Sequence, residues 1–349
     1  MKNKISVIIP AYNAEKWIYN CVKSVLSQND DNFEVIIVND GSKDNTLALC
    51  KKLENDDKRI ILVDKKNGGV SKARNEGIKK ATGKWVVYLD SDDYLCKGAF
   101  EKFREIESSI GEFDIVIFNY IIYSAEMSQQ EYAFLNGDSR ICNKEKEDII
   151  ISCLSNKLAG NARAPINIGV PWGKVYRREF LTNQNIAFPE GISHMEDTVF
   201  NLQAFKKADN IYFCNSAFYI YSINMESVTN QCAKNFDSQA ENVFKLFNEV
   251  LSNSLTDKIK TGLQYKGLCL YTQFLQVDCF NPAIKDSFRH RMERCLEASK
   301  KDFFPSTDAK IYNYMSNYER LTWNAIKLKN PFLIYIFYQI RMRKLKEKR

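Results

Sequence analysis

Apolar and polar positions alternate in blocks along the first hundred residues. Ile5–Pro10 (ISVIIP) is an apolar run too short for a helix and closed by proline, so it predicts a buried strand. Ala14–Gln28 then places Trp17, Ile18, Cys21, Val22, Val25 and Leu26 three and four residues apart, the spacing of an amphipathic helix. The same alternation repeats: strand Phe33–Val38, polar turn NDGSKDN, helix 44–54, strand Ile60–Val63, helix Val70–Lys80, strand Trp85–Leu89. Continuously apolar strands joined by helices predict a parallel sheet covered on both faces. In such sheets ligands bind beyond the carboxyl ends of the strands, which is where Pro10, Tyr12, Asp40 and Asp90 fall.

Past residue 100 the pattern loosens. Asp114–Tyr123 (DIVIFNYIIY) predicts another buried strand, 124–145 a polar excursion, and 210–222 two short strands or a hairpin. From about residue 236 the periodicity is helical, with no glycine after Gly267 and only Pro282 and Pro305 before Pro331. The expected division is an α/β domain over 1–230 and a helical region over 231–349, without internal repeats.

Composition adds bounds. A chain of 349 residues, 45% apolar and 27% charged, with 14 Gly and 7 Pro, is ample for a sizeable core and excludes disordered or collagen-like readings. The net charge is +7, and RMRKLKEKR at 341–349 supplies six bases and one acid, or +5. That leaves +2 for positions 1–340, so no broad basic face of the kind nucleic acid requires is expected. Ten cysteines without a CxxC pair read as buried thiols in a reducing compartment. The start carries no signal-peptide pattern, and no apolar stretch reaches the roughly 20 residues that span a bilayer. A cytoplasmic location is the expectation.

Four segments carry candidate chemistry. Tyr88-Leu89-Asp90-Ser91-Asp92-Asp93 crowds three acids at a strand end, where mutual repulsion calls for a cation or hydrogen-bond donors. Oxygens at i and i+2 suit Mg²⁺ or Mn²⁺; a solvated helix-capping turn explains the segment equally well. Asn39-Asp40-Gly41-Ser42 also follows a strand; its acid can accept from a base N–H or a ribose hydroxyl, or the segment is a plain strand-to-helix turn. Gly68-Gly69 opens a helix that carries Lys72 and Arg74, which either suit a diphosphate or are plain surface charges; neither a P-loop nor a GxGxxG spacing is present. Downstream, His194-Met195-Glu196-Asp197 opens a helix, where acids are favoured by the helix dipole or serve as a general base. With only His194 and His290, no histidine-rich zinc site can form.

Taken together, VIIPAYN (7–13), IVNDGS (37–42), NGGVSKARN (67–75), YLDSDD (88–93) and MEDTVF (195–200) resemble the inverting family 2 glycosyltransferases, over roughly residues 1–225. Trp172-Gly173-Lys174 and Tyr176–Phe180 also resemble a family segment. The resemblance implies a GT-A fold, a mostly parallel Rossmann-like sheet flanked by helices, followed here by a C-terminal helical region. It implies that Pro10, Tyr12 and Asp40 cradle the nucleotide base, usually uracil, and that Arg74 faces the base or the diphosphate. Asp90 and Asp92 would be the acids of the DxD motif, with Ser91 between them and Asp92 the direct ligand of Mn²⁺ or Mg²⁺. Lys72 joins the donor-binding set, Asp197 would be the catalytic base, and Glu196 would support it. The implied partners are a UDP-sugar donor and a saccharide or lipid-linked saccharide acceptor, in surface polysaccharide or glycan synthesis. One departure stands out: relatives often carry Arg where this chain has Ser222, although Ser227 and Thr229 remain. Either Lys72 or Lys174 takes over for that Arg, or donor affinity is lower.

Two rivals follow from the same residues. LDSDD also resembles the acid-x-acid motif of haloacid-dehalogenase-like phosphatases, but that motif expects Thr or Val where Tyr94 stands. A binding subunit of the same fold without turnover is the other. The tail 331–349 (PFLIYIFYQIRMRKLKEKR) joins an aromatic-aliphatic run to a cationic end. It predicts either contact with an anionic membrane surface, placing the protein on the inner face of the membrane, or a last helix packed on the core with a solvated end.

Overall fold

The computed structural model describes residues 3–124, 127–132, 138–140, 143–158, 168–223, 233, 235–304 and 309–346. Two compact units are present: 1–149 with 161–225, and 150–160 with 226–349. The boundary expected near residue 230 lies outside the described residues, as do Ser227, Thr229, Cys142 and Cys232. The described cysteines are thiols, buried except for half-buried Cys269.

The first unit begins β1 (Ile5–Ala11), α1 (Ile18–Leu26), β2 (Phe33–Asp40), α2 (Thr46–Asp56), β3 (Ile60–Lys65), α3 (Val70–Lys80), β4 (Trp85–Tyr88), β5 (Tyr94–Leu95) and α4 (Ala99–Ile110). It continues with β6 (Ile115–Ser124), β7 (Met127–Tyr132), β8 (Ser139–Arg140), α5 (Asn143–Leu154, running into the second unit), β9 (Lys174–Arg177), α6 (Arg178–Asn183), α7 (Glu196–Lys207) and β10 (Ile211–Ser222). The ten strands form one sheet with the path β3-β2-β1-β4-β9-β6-β10-β5, β7 pairing with β6 and β8 with β10. Strands β3, β2, β1 and β4 run parallel, as do β6 and β10, giving the expected mostly parallel central sheet flanked by helices. Every residue of β1 and β2 is buried, which is why they read as largely apolar runs. On α1 the buried side is Ile18, Cys21, Val22 and Val25, as its periodicity predicts.

Two elements differ from the sequence expectation. The stretch 210–222 is a single strand, β10, not a hairpin; it shifts register between Cys214 and Ala217 and again before Tyr219, so its polar Asn215-Ser216 forms an irregularity within one strand. Within the polar excursion 124–145 lie β7 and β8. Strand β9 inserts antiparallel between β4 and β6.

Helix α3 packs tightly on β1. A Cβ at Gly77 would lie 2.3 Å from Ile8 Cγ2, so a larger residue there would lift the helix and move Arg74 with it.

The second unit is helical: α8 (Phe236–Leu251), α9 (Asp257–Phe274), which passes into a π-turn over Leu275–Cys279, then α10 (Phe288–Ala298), α11 (Ala309–Tyr312), α12 (Asn317–Lys327) and α13 (Pro331–Lys346). Tyr265, Leu268, Ile311, Met315 and Trp323 form one of its cores. Ser316 and Glu319 make a reciprocal capping box at the start of α12.

Candidate functional site

The site lies at the carboxyl edge of the parallel strands. Five segments meet there: the turn after β4, the first turns of α3, the start of α7, and the loops after β1 and β2.

Arg74 is the hub. Its residue is 3% exposed, yet it carries a full charge that must be answered. Nη1 donates to Asp197 Oδ1 at 2.6 Å and Nη2 donates to Asp90 Oδ1 at 2.8 Å. Glu196 Oε1 stands 3.9 Å from Nη1. The guanidinium also lies over the Phe188 ring, 5.0 Å from its centroid. Burial opposes its charge, but Asp197, Asp90 and Glu196 outweigh burial and hold its pKa above the ordinary value. Phe188 is itself fixed by Asn75, which donates to the Phe188 carbonyl at 2.9 Å and accepts from its N–H at 3.0 Å. Below, Phe188 stacks on Phe200 of α7 at 4.0 Å, and Tyr88 meets both edge-on.

One guanidinium cannot satisfy three carboxylates. Burial, with Glu196 and Asp90 nearby, pushes the Asp197 carboxyl up to about 7 despite Arg74. Glu196 moves upward as well, chiefly through burial, with Asp90 adding to it. Both acids begin α7, which starts after Met195 in the left-handed region (φ 62). Asn201, one turn on, donates to the carbonyls of Gly169 at 3.0 Å and Asp197 at 3.3 Å and accepts from Tyr176 Oη at 2.8 Å.

The acidic turn after β4 has two sides. Asp90, Ser91 and Asp92 are half-buried and reach solvent. Asp93 is buried and points the other way: Tyr219 Oη donates to its Oδ2 at 2.5 Å, and the Ser222 N–H donates to its Oδ1 at 2.7 Å. Tyr219 Oη in turn accepts from the Asp90 N–H at 3.2 Å. Burial, then Asp90 and Asp92, push the Asp93 carboxyl well up. Beneath the turn the Cys21 thiol donates to the Asp90 carbonyl at 3.4 Å.

Asp40 does not stand open. Its Oδ1 accepts from Lys65 Nζ and from the Gly68 N–H (2.9 Å), and its Oδ2 accepts from the Gly69 N–H at 2.8 Å. It thus fastens the glycine pair that leads into α3. Gly41 makes this closeness possible: its φ is +69, and a Cβ there would lie 2.6 Å from the Asn67 backbone nitrogen. The loops after β1 and β2 are joined where the Asn13 N–H donates to Ser42 Oγ (3.0 Å) and Asn13 Oδ1 accepts from the Lys43 N–H (2.8 Å). Pro10 is buried at the end of β1, and Tyr12 beside it is 46% exposed, a ring open to a planar partner.

The structure therefore brings Arg74, Asp90, Glu196 and Asp197 into one cluster, with Asp92 on the adjoining turn. It does not bring Lys72 there: Lys72 Nζ stands 3.8 Å from Glu190, largely in solvent. Lys174 is buried, and its ammonium donates to the carbonyls of Val170 (2.6 Å) and Trp172 (3.4 Å). Sequence reasoning missed Lys65, Asn75, Phe188 and Tyr219. Tyr219 had a local signal as a bulky residue in an apolar run, and Asn75 closes the NGGVSKARN segment; Lys65 and Phe188 are found only through their partners.

The sequence model of glycosyl transferase family 2 matches residues 6–181. EpsJ of Bacillus subtilis (strain 168), named an uncharacterized glycosyltransferase, is 32% identical over 225 residues, which covers 64% of this chain and 62% of EpsJ. This chain thus spans less than two thirds of that relative's length. The crystal structure of Staphylococcus aureus TarS 1-349 in complex with UDP-GlcNAc superimposes with a TM-score of 0.69 at 21% identity, covering 98% of this chain and 92% of the other. The mannosyltransferase PcManGT from Pyrobaculum calidifontis, in complex with GDP-Man and Mn²⁺, gives a TM-score of 0.52 at 13% identity, covering 97% and 88%. At these identities the structural likeness establishes the shared GT-A fold.

Proposed function

The chain belongs to glycosyl transferase family 2, and on that premise we propose that it transfers a hexosyl or N-acetylhexosaminyl unit from a UDP-sugar to a hydroxyl of a saccharide or lipid-linked saccharide, inverting the anomeric carbon. Synthesis of a surface polysaccharide or related glycan on the cytoplasmic side is the setting this chemistry suits. The observation that carries the reading is the Arg74 bridge, which ties Asp90 on the DxD turn to Asp197 at the start of α7. Two jobs of a single displacement, stabilising the leaving diphosphate and removing the acceptor's proton, are thereby set in one rigid frame. That TarS holds UDP-GlcNAc on the same fold supports the choice of donor.

On this proposal the residues take these roles. Tyr12 stacks on the base above Pro10. Asp40 shapes the base end chiefly by holding Gly68 and Gly69 in place. Arg74 neutralises the diphosphate and holds Asp197 by Oδ1, leaving Oδ2 as the atom that takes the acceptor hydroxyl's proton. A carboxyl raised toward neutrality is matched to that task. Glu196 supports the charge balance beside it, and Ser91 lies on the donor-facing turn. Lys72 serves at most the outer edge of the site.

The residues fit a divalent cation. Acids outnumber bases there: Asp90, Glu196 and Asp197 share the single guanidinium of Arg74, and Asp92 lies on the adjoining turn. Among the described residues no three His, Cys, Asp or Glu side chains are grouped to hold a metal by themselves. Asp92, with Asp90, supplies hard oxygens, and diphosphate oxygens complete the set. Bound there, Mn²⁺ or Mg²⁺ supplies Lewis-acid stabilisation of the leaving group.

The test is Asp197→Asn assayed with nucleotide-sugar binding in parallel. Retained UDP-sugar binding with transfer reduced by ~10²–10⁴-fold is the expected result. Undiminished transfer would remove Asp197 from the role of base. Binding by the wild type with no transfer to any acceptor would favour a non-catalytic subunit.

A further inference from the structure

We infer that α13 docks the protein on an anionic lipid surface through an outward apolar stripe and its basic end. This goes beyond the transfer reaction and rests on other residues.

The first half of helix α13 is apolar around most of its circumference, and the described residues pack against one side of it. Ile334 and Tyr338 are buried, and α13 packs against α10 and α12. Tyr335 and Tyr338 lie 5.2 and 5.0 Å from the Phe280 ring. Arg341 sits over Tyr318 at 4.6 Å. On the other side, Phe332 (55% exposed), half-buried Ile336 and Ile340 (47% exposed) recur every fourth residue and so share one face. Phe288 of α10, 49% exposed, widens the patch: its ring lies 6.4 Å from Phe332 and 5.2 Å from Tyr335. A helix face in water ordinarily carries polar residues, so this stripe calls for a partner.

Charge identifies that partner. The stripe runs into Arg343 and Lys344, both exposed, within a terminal segment of six bases and one acid. A second copy laid stripe to stripe in parallel would set +5 against +5. Anionic headgroups instead attract the basic end while the acyl boundary takes up Phe332, Ile336 and Ile340. Exposed Phe288, beside the stripe, adds to the apolar surface taken up there. With 16 residues, α13 is shorter than the roughly 20 that span a hydrocarbon core, so it lies on the surface rather than through it.

The experiment is flotation of the full chain with vesicles of phosphatidylcholine alone or mixed with phosphatidylglycerol, using wild type, Phe332→Glu/Ile340→Glu, and Arg343→Gln/Lys344→Gln. Thermal melting with and without UDP reports folding and the donor site separately. The wild type is expected to float with the mixed vesicles at low salt, and to be released by high salt. The apolar double variant should lose flotation. The charge double variant should bind about thirtyfold more weakly, since two basic groups near the surface are removed. Both should melt as wild type does, because the altered side chains lie on the surface. No flotation of the wild type, or flotation of Phe332→Glu/Ile340→Glu unchanged, overturns the inference. Self-association in sedimentation velocity that Ile340→Glu abolishes, without flotation, would overturn it in favour of a second copy.

Discussion

Tyr219 and Asp93, 126 residues apart in sequence, meet through a 2.5 Å hydrogen bond in which the phenol donates to the third acid of the turn. Because the same phenol oxygen accepts from the Asp90 N–H, one side chain fixes the backbone that presents Asp90 and Asp92. Trp172 stacks on the Tyr219 ring at 4.8 Å and leaves it little room to turn.

Tyr219→Phe keeps that stacking and removes only the hydroxyl. Asp93, which is buried, then loses a donor and the half-buried Asp90 N–H loses its acceptor, for a cost of about 1–3 kcal/mol. Urea denaturation should show this loss. Mn²⁺-dependent stabilisation by UDP should weaken in the same variant, because the turn that presents Asp92 is no longer pinned.

Arg74→Lys tests the bridge. An ammonium is a point charge and cannot place two nitrogens on Asp90 and Asp197 at once. The charge survives but the frame does not, so a loss in kcat of about 10²-fold is expected, the scale of a small misplacement of reacting groups. Steady-state kinetics check it; a change confined to KM would mean Arg74 only binds donor.

Much of this was legible in sequence, and the reasons are physical. Strands β1 and β2 announce themselves because both faces are buried; before the site begins each carries one polar residue, and these two, Ser6 and Glu34, are joined by a 2.6 Å hydrogen bond. Strand β9 (KVYR) does not, being four residues long and flanked by charges answered elsewhere: Lys174 by loop carbonyls, Arg177 by Asp114. In β10 the polar Asn215 read as a turn, yet Asn119 Nδ2 donates to its Oδ1 at 2.8 Å and its N–H donates to Asp138 at 2.8 Å. The acids of the site and Arg74 lay in recognisable segments. That Arg74 joins Asp90 to Asp197, that Lys65 and two glycine N–H groups occupy Asp40, and that Asp93 turns inward are tertiary facts with no local trace. Of the two readings of the tail, the packed last helix describes the face of α13 that buries Ile334 and Tyr338, and contact with a membrane is what the flotation experiment tests.

Gly41→Ala should be costly in spite of its small volume. The left-handed φ disfavours any Cβ, and this one would strike the Asn67 backbone, which cannot swing aside as a flexible side chain can. A loss of about 1–3 kcal/mol in chemical denaturation is expected. Donor affinity should fall with it, since the displaced segment leads directly to Gly68 and Gly69. Ala at Gly191, where φ is +77 but nothing lies within 4 Å, is the control that separates strain from collision.

The last prediction concerns pH and follows from the raised Asp197 carboxyl. The proposed base works only when ionised, so kcat/KM should rise with pH and level off above about 7. Stability should move the opposite way. A carboxyl whose pKa is higher in the folded than in the unfolded chain favours the protonated native state. Its contribution is fully present below the unfolded value, near 4, and is lost as pH rises through about 7. Glu196 and Asp93 shift in the same direction, so the informative quantity is the difference between wild type and Asp197→Asn. Asparagine cannot ionise. Relative to wild type its stability should therefore improve between pH 5 and pH 8, measured by urea midpoints, while any residual transfer loses its rise toward neutrality. If the two proteins show parallel stability curves across that range, Asp197 is already ionised at acid pH, and the Arg74 ion pair outweighs burial and the neighbouring acids.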